Sequence, residues 1–251
     1  MSIPSHPLKY EIVYPDSDGE PMAESDPARD YLLYSVEALD LHFQNRDNVY
    51  VSGNIFVYYK QGIPSAVISP DVLVVFGIEK KKRQSYKVWE EGGKVPDFVL
   101  EVTSSSTQEN DEIDKPLKYA QLGVAEYFQY DPTGDYLQPQ LKGSRLASGQ
   151  YRPLQPTLFA NGDLSIRSRV LGLDLRLIGR EMRFYDPNAA KILPNYQERE
   201  RERQETEQAL QQERRAREAA IPRLLDLGLT VEQVAETLSF SVEEVRQFLS
   251  N

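Results

Sequence analysis

The feature that most constrains this chain is a glutamate set inside an apolar run. In VPDFVLEVT (95–103), Glu101 interrupts residues that otherwise read as a buried strand. Side chains alternate along a strand, so Asp97, Val99, Glu101 and Thr103 share one face, and Phe98, Leu100 and Val102 the other. A lone carboxylate in such a place is costly to bury and demands a cation, a hydrogen-bond network or water. Asp71 poses the same problem at the mouth of a second apolar run, VISPDVLVVFG (67–77). The 95–103 run reads as a buried central strand. If the two strands are neighbours, their carboxylates converge at one sheet end and form a two-ligand cradle for a hard divalent ion.

Composition narrows the chemistry. The 251 residues contain no cysteine and two histidines, His6 and His42. Thiolate catalysis, disulfides, cysteine–zinc sites and His-rich centres are therefore excluded. Any metal must be oxygen-ligated: magnesium, manganese or calcium. The formal charge of −10 argues against a broad basic nucleic-acid surface. Lys80, Lys81, Lys82 and Arg83 form the one basic run of the core; a solvated loop is the default reading and a DNA-backbone contact the sharper one. No apolar run approaches the roughly 20 residues of a membrane span. The N-terminus lacks a signal layout, so a cytoplasmic location is expected.

Along the chain, residues 1–26 read as an irregular N-terminal arm. Residues 27–46 read as a helix, with Leu32, Val36, Leu39 and Phe43 on one apolar face. His42, beside that stripe, reads as a boundary histidine. Strand patterns follow at 48–60, broken at Ser52-Gly53-Asn54, and at 67–77, 95–103 and 125–132. Residues 80–94 read as a loop or short helix, and residues 135–186 as short antiparallel strands. The core domain is taken as 27–193. Residues 194–220 form a linker rich in Glu and Arg; without the apolar seam of a strong coiled coil, it reads as a solvated helix. Residues 221–251 read as a small helical tail, with Thr230 and Ser241 as N-caps.

Downstream of Glu101, residues Asp111, Lys115, Lys118, Tyr119 and Leu122 fall on one helical stripe. A lysine there would stand beside the carboxylates, orient a water and offset charge on a phosphorane-like transition state. SPDVLVVFG, PDFVLEVTSSST, then Asp111-x3-Lys115-x3-Tyr119-Ala120 and LGVAEYFQYDP together resemble the Uma-two restriction endonuclease family, within the PD-(D/E)xK nuclease-like superfamily. The resemblance covers roughly residues 30–190. It implies an α/β, restriction-endonuclease-like core with a mixed central sheet flanked by helices. It also implies Mg²⁺ (or Mn²⁺) on Asp71, Glu101 and the Val102 carbonyl, with Lys115 as the catalytic lysine. DNA is the implied substrate, and a homodimer follows from the resemblance alone.

This chain departs from the pattern. The usual lysine, two residues after the second acid, is replaced by Thr103. Pro116 follows Lys115 directly and disfavours a helical conformation before it, so Lys115 is placed at a helix start and Lys118 stands as a fallback. Other readings compete. Asp71 and Asp97 both follow proline, a common turn dipeptide, and Asp97 reads as a strand-entry residue. Glu37 on the first helix could complete a metal site but reads as a solvated face. Ser104 to Thr107 read as a cap or a phosphate contact. The tail resembles the small helix-turn-helix tails of nuclease-like and transposase-associated proteins. With two Arg against five acids in 221–251, it is read as a protein-contacting element, so 195–251 is the segment expected to meet a protein partner. Two functions follow: a Mg²⁺-dependent endodeoxyribonuclease, or a nuclease-like fold repurposed for binding.

Overall fold

The computed structural model describes residues 12–17, 25–103 and 113–250. They divide into two compact units, residues 1–195 and residues 196–251.

In the first unit, the periodic segment folds as α1 (Asp26–His42), opened by Ser25, whose Oγ accepts from the Ala28 amide, with a proline in the first turn. Its apolar stripe faces a six-stranded sheet made of β1 (Val49–Ser52), β4 (Val72–Phe76), β6 (Phe98–Val102), β7 (Glu126–Tyr130), β8 (Leu141–Ala147) and β9 (Gln150–Pro153), in the spatial order β1-β4-β6-β7-β8-β9. β6 and β7 pair parallel; the other neighbours pair antiparallel. The sheet is mixed, as the resemblance implies. Leu39 and Phe43 of α1 pack with Val72, Val74, Phe98 and Leu100 on one face. The opposite face carries Leu73, Val75 and Val99 against Tyr119 of α2 (Lys115–Leu122). Covering both faces is what turns β4 and β6 into continuous buried runs rather than alternating ones.

Two smaller sheets complete the unit. β2 (Val57–Tyr58) lies between β3 (Val67–Ile68) and β5 (Tyr86–Lys87). β5 falls inside the segment read from sequence as a loop or short helix. A two-residue strand leaves no alternation to detect; what holds it is the parallel pairing of Tyr86 with Val57 and the complete burial of the Tyr86 side chain. The short strands after 135 supply β8 and β9 and then an antiparallel meander of β10 (Thr157–Leu158), β11 (Leu164–Arg167), β12 (Asp174–Ile178), β13 (Glu181–Asp186) and β14 (Lys191–Ile192). Leu164, Ile166, Leu175 and Phe184 of this meander join the core beneath α1.

The second unit starts with α3 (Tyr196–Asp226), which runs on through Pro222 where the sequence suggested a separate helix. Its residues 201–216 are exposed, and Arg–Glu pairs three or four residues apart lace the helix, such as Arg203 with Glu200 and Glu207. Such pairs stabilise a solvated helix by a few tenths of a kcal/mol each, roughly 0.2–0.5. Ile221 near its end is buried with Val234 and Ala235 of α4 (Val231–Leu238) and Val245 of α5 (Val242–Ser250). Thr230 forms a full capping box with Gln233, and Ser241 exchanges the same pair of bonds with Glu244. No described helix is long and apolar enough to cross a membrane.

Candidate active site

Asp71 directly precedes β4, and Glu101 is the fourth residue of β6. The two strands run antiparallel with Val72 opposite Leu100, so the start of one meets the end of the other. Glu101 is wholly buried, and the Asp71 amide lies 3.4 Å from its Oε2. The Asp71 carboxylate turns toward β6, where Oδ2 accepts from the Val102 amide at 2.7 Å.

α2 begins at Lys115 with Pro116 in its first turn, directly after a π-helical pair at Ile113 and Asp114, so the proline is accommodated near the helix start. Lys115 Nζ donates to Glu101 Oε2 at 2.7 Å. One turn on, the Tyr119 hydroxyl donates to Glu101 Oε1 at 2.6 Å. Lys118 is exposed. The structure thus brings Asp71, Glu101 and Lys115 together and leaves Lys118 on the outer face of α2. The sequence reading places Tyr119 on the helical stripe of Lys115 without giving it a role; its i,i+4 spacing from Lys115 is the signal that could have found the contact.

The electrostatics follow from the crowding. Burial pushes the Asp71 carboxyl well above the usual carboxylate range, and the neighbouring Glu101 charge pushes it further. Lys115 and the Val102 amide pull the other way without prevailing. Burial and the nearby Glu101 likewise raise the Tyr119 phenol, which keeps it a donor. Two carboxylates that resist sharing charge are what a divalent cation relieves.

The donor set fits such a cation. No group of three or more His, Cys, Asp or Glu side chains suited to a metal occurs among the described residues. The candidate donors would be the two carboxylates and the Val102 carbonyl, and Mg²⁺ usually keeps several waters and takes only one or two protein carboxylates. Thr103 follows on the Glu101 face of β6, and its buried Oγ1 has no hydrogen-bond partner among the described residues. An unpaired buried hydroxyl costs about 1–3 kcal/mol, a penalty that a water would remove.

The remaining sequence candidates lie elsewhere. Asp97 Oδ2 accepts from the Phe76 amide at 2.7 Å, a strand-joining role. Glu37 sits on the exposed face of α1. His42 packs edge-on against Phe43, and burial lowers its pKa. In the basic run, Lys80 pairs with Asp40, Lys81 with Glu79 and Arg83 with Glu91, so much of its charge is already met. Asp111 and Ser104 to Thr107 lie outside the described residues.

A mixed sheet that presents two acids and a lysine at one strand end is the arrangement the PD-(D/E)xK resemblance implies. The family model Uma2, described as "Putative restriction endonuclease", matches residues 8–178, and the chain belongs to that family. Among solved structures, it is similar to one described as "a putative nuclease belonging to DUF820" from Anabaena variabilis ATCC 29413. That likeness has 12% identity and a TM-score of 0.40, covering 55% of this chain and 73% of the other. No curated protein matches the sequence.

Proposed function

We propose that this chain is a Mg²⁺-dependent endodeoxyribonuclease that hydrolyses phosphodiester bonds of DNA. The observation that carries the reading is the 2.7 Å contact between Lys115 Nζ and Glu101 Oε2 beside Asp71, which gathers two acids and a cation-bearing side chain at one sheet end. Asp71, Glu101 and the Val102 carbonyl would hold the ion. When bound, Mg²⁺ (or Mn²⁺) supplies Lewis-acid polarisation of the phosphate and eases deprotonation of water. Lys115 keeps a positive charge at Nζ where a phosphorane-like transition state gains negative charge. Glu101 Oε2 orients that ammonium group. The Val102 amide fixes the Asp71 carboxylate at Oδ2. Thr103 offers its hydroxyl to water at the cradle's edge.

The test is cleavage of supercoiled and linear DNA with Mg²⁺ or Mn²⁺. Cleavage is expected with either ion, abolished by chelator and lost in Asp71→Ala and Glu101→Ala. Divalent-independent activity, or full activity in either variant, overturns the reading.

One observation favours a second reading, a repurposed binding fold. Both acids already carry protein hydrogen bonds, from Val102, Lys115 and Tyr119. On that reading, residues 195–251 recruit a protein partner. Calorimetry showing no Mn²⁺ binding, together with intact stability, would select it over the first.

A further inference from the structure

We propose that Tyr119 is a positioning residue: its hydroxyl ties up Glu101 Oε1 and thereby leaves Oε2 as the oxygen that faces Asp71 and the ion. This rests on the metal-cradle reading above and assigns a residue which that reading does not use.

The argument starts from the geometry of the carboxylate. Glu101 has two oxygens, and α2 grips both. The hydroxyl of Tyr119 donates to Oε1 at 2.6 Å, while the ammonium of Lys115 donates to Oε2 at 2.7 Å. The Asp71 amide also lies on the Oε2 side, at 3.4 Å. Residues four apart on a helix stand one above the other, so one helix turn delivers both donors to one group. The donors are not equivalent. Lys115 retains some exposure and ends in a mobile ammonium group with three protons. Tyr119 is 1% exposed, and its ring packs against Tyr127 at 5.4 Å, so its single proton has one place to go. A rigid neutral donor on one oxygen fixes the plane of the carboxylate without neutralising it. The oxygen on the side of Asp71 is therefore Oε2, which also accepts from Lys115. Such an outer-shell donor orients a metal-ligating carboxylate, and its loss typically weakens metal affinity or activity by about 10–100-fold.

The experiment compares the full-length chain with Tyr119→Phe, and with Tyr151→Phe as a packing control. Tyr151 has a phenol that donates to the Val124 backbone carbonyl at 2.9 Å, and its ring also packs against Tyr127, at 5.7 Å. Mn²⁺ affinity is measured by calorimetry in the absence of DNA, and kcat and KM are measured separately with DNA. Circular dichroism establishes the folded fraction. Tyr119→Phe is expected to weaken Mn²⁺ binding and lower kcat by about tenfold or more, with KM for DNA unchanged. Tyr151→Phe is expected to change none of the three, whatever it does to the melting temperature. Parent-like Mn²⁺ affinity in Tyr119→Phe overturns the proposal while leaving the nuclease reading intact. An equal loss in both variants overturns it in favour of packing. A parent that binds Mn²⁺ without cleaving DNA removes the nuclease reading and leaves the affinity comparison to decide Tyr119. A parent that binds no Mn²⁺ overturns both.

Discussion

Glu101 and Glu126 stand on neighbouring parallel strands of one sheet, β6 and β7, and both are wholly buried. They sit at opposite ends: Glu126 lies across from Phe98, and Glu101 across from Gln129. Around Glu126 the fold supplies donors. Arg145 reaches Oε1 with two nitrogens at 2.9 and 2.7 Å, the Ser168 hydroxyl reaches Oε2 at 2.5 Å, and the Arg169 amide adds a bond at 3.0 Å. That end ties the central sheet to the β11–β12 loop of the meander. Around Glu101 the fold supplies a lysine, a tyrosine and a second acid. A buried glutamate is thus no mark of a site by itself. What distinguishes the Glu101 end is the second acid, Asp71, beside it.

The largest expected effect is at the structural end. Glu126→Ala strips Arg145 and Ser168 of their partner and should lower stability by about 3–5 kcal/mol, as for a broken buried ion pair, read by urea denaturation. Parent-like stability would erase the distinction between the two ends. Next comes a charge deletion at each end. Lys115→Met should lower kcat by about 10²–10³-fold, comparable to removal of one preorganised transition-state donor. Arg145→Met should leave kcat per folded molecule unaltered, and a matching loss there would show that the two ends act as one.

A smaller effect should come from Gly53. A Cβ there would stand 2.4 Å from the Asp71 carbonyl oxygen and 2.8 Å from Val36 Cγ2, so Gly53→Ala forces the backbone that carries Asp71 outward. The expected penalty is about 1–3 kcal/mol by thermal unfolding, with reduced Mn²⁺ affinity. Unchanged affinity would free Asp71 from that clamp.

The smallest effect is in pH. The Asp71 carboxyl is raised in the folded state, so the folded chain binds this proton more tightly than the unfolded chain does. Its contribution to stability is therefore present at low pH and falls as pH climbs from the ordinary carboxylate range, about 3.9, through the raised folded value. Asp71→Asn should remove that fall, and Mn²⁺ should offset it in the parent. A parent whose stability follows the same pH profile as Asp71→Asn would place the unbalanced charge elsewhere.

The sequence disclosed these features unevenly. α1, β4, β6 and β7 were legible because their apolar patterns are local. The meeting of Asp71 and Glu101 followed from two apolar runs with acids at complementary ends. Lys115 was legible through resemblance, and Pro116 sits in the first turn of α2 instead of breaking it. Glu126 was passed over in AEYFQYDP, although the rule that singled out Glu101 applies equally to it. Nothing local distinguishes the two, because Arg145 and Ser168 lie 19 and 42 residues downstream. Tyr119 falls on the same helical stripe as Lys115, but the partner of its hydroxyl depends on tertiary packing. β5 was missed because two residues carry no period.

The parallel pairing of β6 and β7 also bears on how the chain reaches its working state. Antiparallel neighbours can zip from a turn, but parallel strands must wait for a crossover, and here the crossover contains α2. The antiparallel contact of β4 with β6 can gather Asp71 and Glu101 before Lys115 arrives. A folding chain would then pass through a stage with two crowded acids and no ammonium group beside them. Non-local closure of this kind is slow. Divalent ions present during refolding should act on that stage, accelerating the docking of α2 and leaving earlier steps untouched.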